Sequence, residues 1–328
     1  MKAVVITKPG PPSVLAWEDR PAPARGRGQL LIEVRAAGLN RADIMQRLGH
    51  YPPPPGTTED IPGLEAAGMV LEADPESPFR PGDRVMALLP GAAYATVAVA
   101  AEDLAIPVPQ DWSWEEAAAV PEVYLTAFDA LVSRLAILPG EWLLIHSVGS
   151  GVGIAALQLA QVLGARTIGT SRQSWKLERA HALALDHGVL LKDDGSWKEE
   201  VRRLVPEGVD AVLDLVGAGH WPASLEILRS RGRIVIVGLV SGSRTELDLG
   251  LLLQRRIRVE GTALRSRPDW EKAALVQEFR QTAWRSMLAR QVRPVIDRVF
   301  PAEEASAAHR YLEENRSFGK VVLRFPPD

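Results

Sequence analysis

Near the middle of this 328-residue chain, His146-Ser-Val-Gly-Ser-Gly-Val-Gly153 joins an apolar strand-like run, Trp142–His146, to an apolar helical run near 152–163. Glycines at this spacing suit one geometry. A strand turns tightly into a helix whose first N–H groups point outward, where the helix dipole favours an anion. Gly149, Gly151 and Gly153, with Ser150 and Val152 between them, stand where backbone must approach a pyrophosphate and helix must pack on strand. The strict G-x-G-x-x-G spacing is not met, because position 154 is Ile. A tight turn without a ligand is the alternative; the strand–turn–helix setting points to a dinucleotide.

The surrounding pattern extends the same unit. Strand-like runs at Trp142–His146, Arg166–Thr170, Val189–Leu191, Asp210–Asp214, Arg233–Gly238 and Ile257–Gly261 alternate with helical runs near 152–163, 174–185, 196–204, 221–229 and 247–254. That alternation predicts an α/β fold with a doubly wound parallel sheet. Before it the chain reads as β-rich, with runs at Lys2–Ile6, Leu30–Ala36, Met69–Ala73, Val85–Leu89 and Tyr94–Val99. Asn40 is placed to cap a helix through about Leu48, and Tyr51-Pro-Pro-Pro-Pro-Gly56 must be an extended loop. Trp114–Leu135 has helical periodicity that Pro121 should kink or split. Asp269–Leu288 and Ala302–Asn315 read as helices and Lys320–Phe325 as a last strand.

Composition narrows the chemistry. There are no cysteines, which excludes disulfides, thiolate nucleophiles and Cys-held metal. A net charge of −3 gives no nucleic-acid footprint. No apolar run reaches membrane-spanning length, and the N-terminus has no signal-peptide layout, so the cytosol is the expected compartment.

The end of the second mid-chain strand indicates which dinucleotide to expect. A site for NAD places Asp or Glu there, on the ribose 2′-OH. Here the stretch is Thr170-Ser-Arg-Gln-Ser-Trp-Lys176, with no acid before Glu178. Ser171 can donate a hydrogen bond, and Arg172 and Lys176 suit a 2′-phosphate, so NADP(H) is expected; ordinary solvated cations are the alternative.

With these motifs in hand, the whole chain resembles the zinc-free quinone oxidoreductases of the medium-chain dehydrogenase/reductase superfamily. The resemblance is carried by Gly38-Leu-Asn-Arg-Ala-Asp43, Pro62-Gly-x-Glu-x-x-Gly68, Pro81-Gly-Asp-Arg-Val85, the glycine turn, Asp214-Leu-Val-Gly217 and Gly319-Lys-Val-Val-Leu323. The tumour-suppressor-inducible branch is the nearest match, through Asn40–Arg47 followed by Tyr51–Gly56, Leu264-Arg-Ser-Arg267 and Pro294–Arg298. The resemblance implies a β-rich GroES-like catalytic domain over 1–120 plus 265–328, with a Rossmann NADP-binding domain at 121–264 inserted in it. It also implies a homodimer through the Rossmann edge strand near Ile257–Gly261. Zinc-dependent relatives carry Gly-His-Glu where this chain has Gly63-Leu64-Glu65, so no metal is expected and Glu65 reads as a relic.

The resemblance further implies site roles. Tyr51 would lie at the nicotinamide–substrate mouth as proton donor or orienting group, the alternative being a tyrosine packed on its proline loop. Asn40 would approach the nicotinamide ribose. Thr126 would face the nicotinamide side. Gly238 and Leu239 would line its pocket, Leu264 and Ser266 would follow the sixth strand into the same region, and Asn315 would lie near the cofactor. Lys192 stands where relatives place a tyrosine near the adenosine, and either reaches the 2′-phosphate or is solvated. His146 reads as a buried, satisfied imidazole. The expected activity is NADPH-dependent hydride transfer to quinones. A reductase of activated alkenes and a non-catalytic NADPH-binding protein are the alternatives.

Overall fold

The structure, a computed structural model, describes residues 1–192 and 195–326. Its first strands, β1 (Lys2–Ile6) and β2 (Leu15–Asp19), pair antiparallel as a separate two-stranded sheet. The β-rich part continues through β3 (Gln29–Gly38), helix α1 (Arg41–Arg47), β4 (Glu65–Glu72), β5 (Arg84–Leu88), β6 (Val97–Ala101) and β7 (Ala105–Pro107). Pro121 does split the helical stretch. α2 (Trp114–Ala118) stops before it and α3 (Pro121–Phe128) begins on it, because proline lacks the N–H that a helix interior needs. A π-helical turn, Asp129–Arg134, follows.

The mid-chain alternation is realised as β8 (Trp142–Ile145), α4 (Gly151–Val162), β9 (Arg166–Ser171), α5 (Ser174–His181), β10 (His187–Leu190), α6 (Trp197–Leu204), β11 (Val209–Asp214), α7 (Trp221–Ile227), β12 (Leu228–Ile236), α8 (Leu249–Arg255) and β13 (Arg258–Gly261). The last part holds α9 (Asp269–Thr282), α10 (Trp284–Leu288), β14 (Ile296–Pro301), α11 (Ala305–Glu313) and β15 (Lys320–Arg324). Three strands escaped the sequence pattern: β2, with Glu18 and Asp19 in its short run, β7, three residues ending on Pro107, and β14, which mixes Asp297 and Arg298 with its apolar residues. The strand expected at Tyr94–Val99 begins only at Val97.

The chain divides into two units. The first comprises residues 1–125, 264–288 and 293 onward; the second, residues 126–263 and 289–292. In the first, a seven-stranded sheet runs β14-β15-β3-β4-β5-β7, with β6 also on β3. Its core gathers Leu30, Ile32, Val34, Tyr94, Phe300 and Leu323.

In the second unit all six strands are parallel, in the order β10-β9-β8-β11-β12-β13. This is the doubly wound order, whose ligand crevice lies at the carboxyl ends of the strands where the winding reverses, here between β8 and β11. β11 is buried along its whole length, as expected of a parallel strand covered on both faces. Val189, Val201, Val212, Leu225 and Ile234 pack among the core residues.

Gly153 shows how tightly α4 seats on this sheet. A Cβ there would stand 2.5 Å from the Ser147 carbonyl oxygen and 2.7 Å from that of Val148, both rigid backbone. Gly153→Ala is therefore expected to cost about 1–3 kcal/mol. The check is a lower urea midpoint for the second unit at unchanged slope.

Candidate functional site

At the mouth of the parallel sheet the glycine turn adopts the geometry its sequence predicts. Ser147 takes a left-handed φ of 52°, Gly149 is buried, and α4 starts at Gly151. Ser150 is the N-cap: its hydroxyl accepts the Gly153 N–H at 3.1 Å. The departure from glycine at 150 thus gives the helix a cap. The first-turn N–H groups of Gly151 and Val152 have no intrahelical partner and carry the positive end of the dipole. Backbone donors, a dipole end and a glycine close approach fit a pyrophosphate.

Neighbouring groups hold this mouth in shape. Asp214, fully buried at the end of β11, accepts the N–H groups of Val216 and Gly217 at 2.8 and 2.9 Å. His146 is fully buried, bonded to the hydroxyls of Thr170 at 3.0 Å and Ser224 at 2.9 Å. Burial, reinforced by His220 stacked 4.8 Å away, holds its pKa well below the ordinary value. It is the neutral, satisfied imidazole that the sequence suggests.

At the end of β9, the Ser171 hydroxyl accepts the Gln173 N–H at 3.1 Å, Arg172 is exposed, and the Lys176 ammonium lies 5.3 Å from the Trp175 ring centre. Burial, then the positive charge of Arg172, lowers the pKa of His220. Lys192 is exposed after β10. A 2′-phosphate would find cations here and no carboxylate at the end of β9.

The first unit holds a second polar centre, and most of it was not visible in the sequence. Glu65, fully buried at the start of β4, pairs with the Lys320 ammonium of β15 at 2.6 Å. Lys320 also donates to the Leu39 carbonyl at 2.6 Å and the Asn40 side-chain oxygen at 2.8 Å. Asn40 returns its amide N–H to Glu65 Oε1 at 2.9 Å, and Glu65 Oε2 accepts the Glu122 backbone N–H at 2.8 Å. Gly38 leaves the room: a Cβ there would stand 2.2 Å from Glu65 Oε1. Asn40 occupies the cap position of α1, but its amide is turned into this network. Asp43 completes a capping box with it, accepting the Asn40 N–H at 2.7 Å. Asp43 also accepts from Gly63 N–H and Tyr94 Oη, yet its burial pushes its pKa up to about 6.

Tyr51 is held by Arg265, a residue the sequence reading passed over in favour of its neighbours Leu264 and Ser266. The Arg265 guanidinium, 5.0 Å from the Tyr51 ring centre, donates to the carbonyls of Tyr51 and Pro90 and to Gln46 Oε1. The Tyr51 hydroxyl takes no hydrogen bond among the described residues. Desolvation, then the nearby Glu122 carboxyl, raises its pKa, so the phenol stays a donor. Leu264 is buried and Ser266 exposed.

Thr126 is buried in α3. Gly238 follows β12 with its N–H on the Asp214 carbonyl, and Leu239 is exposed. Asn315 has its amide committed to Arg41 and Glu313.

Comparison with known proteins gives the following. The zinc-binding dehydrogenase family model matches residues 151–278, and the alcohol dehydrogenase GroES-like domain model matches residues 26–110. A quinone oxidoreductase of Sus scrofa is 32% identical, covering 98% of this chain and 97% of its own length. The spectinabilin polyketide synthase system protein NorB of Streptomyces orinoci is 37% identical over 92% of this chain, which spans only 13% of that protein. Among solved structures, mycobacterial Rv1454c complexed with NADPH has a TM-score of 0.88 at 30% identity, covering 99% of this chain and 100% of that one. The CurK enoyl reductase has a TM-score of 0.86 at 26% identity, with 99% of each chain covered.

Replacing one member of the buried pair isolates the other. Lys320→Met is expected to destabilise the first unit by about 3–5 kcal/mol, because it leaves the buried Glu65 carboxyl without its ammonium partner. Adding Glu65→Leu to it should recover most of the loss, read as urea midpoints of the single and double variants.

Proposed function

The chain belongs to the medium-chain dehydrogenase/reductase superfamily, with quinone oxidoreductases among its relatives, and from that premise we propose that it is an NADPH-dependent quinone reductase working without zinc. The observation that carries this reading is the state of Glu65. Where zinc-dependent relatives present Gly-His-Glu, Leu64 cannot ligate, and both Glu65 oxygens are already engaged, by Lys320 and Asn40 on one side and the Glu122 N–H on the other. The donor set does not fit a metal. Oxidising an alcohol needs a stabiliser for the alkoxide, and the Lys320 ammonium is committed to Glu65. An acceptor whose reduced form delocalises its own charge has no such need, and quinones are of that kind.

Bound reduced nicotinamide would supply the hydride. This chain's residues supply the rest. Gly149, Ser150, Gly151, Val152 and Gly153 hold the pyrophosphate, and Ser171, Arg172 and Lys176 favour the 2′-phosphate. Tyr51, oriented by Arg265, donates a hydrogen bond to the oxygen where charge develops. The same parts suit conjugated alkenes, and the similarity to the CurK enoyl reductase favours keeping that second reading. Membership of the tumour-suppressor-inducible branch, a homodimer through β13 and a cytosolic place belong to the same proposal.

Paired assays with a quinone and an enone panel decide between the acceptors, and a quinone preference in kcat/KM is expected. Tyr51→Phe is expected to lower kcat/KM for the best acceptor by at least about tenfold while leaving NADPH binding intact. Arg172→Ala with Lys176→Ala is expected to weaken NADPH by about 10- to 100-fold and NADH little, measured by titration calorimetry. An unchanged preference for NADPH would remove the phosphate pocket.

A further inference from the structure

The loop that carries Tyr51 cannot hold itself. Pro52, Pro53, Pro54 and Pro55 have no N–H to donate. Among the described residues, the stretch from Tyr51 to Asp60 has one internal backbone bond, the Thr57 N–H on the Pro54 carbonyl at 3.2 Å. Its place is therefore set from outside. Ile6 N–H ties the far end to β1 through the Asp60 carbonyl at 2.7 Å. Arg265 donates to the Tyr51 carbonyl at 3.1 Å, and the Gln46 side-chain amide donates to the Glu59 carbonyl at 3.0 Å. These two donors are joined to each other. The Arg265 guanidinium also donates to Gln46 Oε1 at 2.7 Å, and each of the two residues is only 6% exposed. A third Arg265 bond, to the Pro90 carbonyl at 2.9 Å, anchors the pair to the neighbouring turn. Gly91 lets that turn lie under the loop, since a Cβ there would stand 2.8 Å from Thr57 Cγ2.

We propose that Gln46 and Arg265 form a clasp that fixes Tyr51 for acceptor reduction, and that Gln46 is the member that closes it. Both are positioning residues that act through Tyr51, and the proposal rests on the reading of this chain as a reductase with Tyr51 beside the acceptor. Position 46 needs an acceptor toward a cation and a donor toward a carbonyl on one short planar group. An amide offers both. A carboxylate would accept from Arg265 but turn a lone pair on the Glu59 carbonyl, and an apolar side chain would do neither. Position 265 needs three N–H directions in one plane, with the charge 5.0 Å from the Tyr51 ring centre. A guanidinium has that fork and an ammonium does not. Opening the clasp lets the phenol leave its working position, and a misplacement of about 1 Å can cost about 100-fold in rate.

The experiment is a double-variant cycle on the full chain. Gln46→Glu, Gln46→Met and Tyr51→Phe are made singly, each Gln46 variant is combined with Tyr51→Phe, and kcat/KM is measured with the best quinone at saturating NADPH. Each Gln46 variant should lose about tenfold against wild type, with NADPH affinity unchanged by calorimetry, and lose little more against Tyr51→Phe. A purely structural role predicts otherwise. Gln46→Glu would gain an ion pair with Arg265 and run at the wild-type rate, or its loss would add in full to that of Tyr51→Phe. Either result overturns the proposal and leaves the reductase reading standing. A Tyr51→Phe enzyme as fast as wild type removes the Tyr51 role and the proposal with it. No turnover with any acceptor removes both readings.

Amide exchange gives a readout independent of activity. From Tyr51 to Asp60 only Tyr51 and residues 56–60 carry an N–H, so a peptide over this stretch reports a few defined protons. Its exchange should be about tenfold faster in both Gln46 variants and unchanged in Tyr51→Phe. Wild-type exchange in both Gln46 variants overturns the clasp.

Discussion

A carboxylate with no exposed surface, Glu65, is neutralised by a lysine 255 positions away, and much of the first unit is arranged around that contact. A lone buried charge is costly enough that the fold must bring a counter-ion and hydrogen bonds to it. Meeting that demand joins five segments: the Gly38 end of β3, the Asn40 start of α1, the Glu65 start of β4, the Glu122 turn of α3 and Lys320 at the head of β15. Each gives up something specific. Gly38 gives up its Cβ, Asn40 its side-chain N–H and Glu122 its backbone N–H. Replacing such a pair with apolar residues can match it in stability, so its value is the fixed placement of groups around it.

The second unit solves a different electrostatic problem with backbone alone. Its glycine turn presents N–H groups and a helix dipole rather than a side-chain cation, so an anion can be held where a long side chain would block the approach. The left-handed Ser147 and the Ser150 cap keep those donors in place before any ligand arrives. Pre-arranged donors lose little freedom on binding, and this is why short glycine turns suffice for a large, highly charged cofactor.

What could be read from the sequence follows from what local spacing encodes. Periodicity recovered the six parallel strands and the helices between them. Pro121 marked the break in the long helical stretch, and the spacing of Gly149, Gly151 and Gly153 located the turn. Edge strands with charged residues, β2 and β14, carry a weak alternation and escaped. The polar centre was legible only at Tyr51, Asn40 and Glu65. Nothing local to Lys320 announces that its partner is Glu65, and Arg265 was hidden between two residues that drew attention for their position alone. Asn40 was read as a cap because Asn before a helix usually is one. It is the N-cap, in a capping box with Asp43, and its amide N–H also serves a buried carboxylate 25 residues on, which local spacing does not announce.

Under the proposed reading, in which Tyr51 stands beside the acceptor, its surroundings would favour an acceptor of a particular kind. Lys320 is offset by Glu65, and the Arg265 guanidinium lies 5.0 Å from the Tyr51 ring centre. Its donors already serve two carbonyls and Gln46, so it can orient the ring but cannot also bond an oxyanion through those same N–H groups. The Tyr51 hydroxyl is a single neutral donor, and a single neutral hydrogen bond stabilises far less than a metal ion does. A reaction that concentrates a full charge on one oxygen would find little help here. A reaction whose product spreads that charge over a conjugated frame needs only orientation and one donor, and this environment offers both.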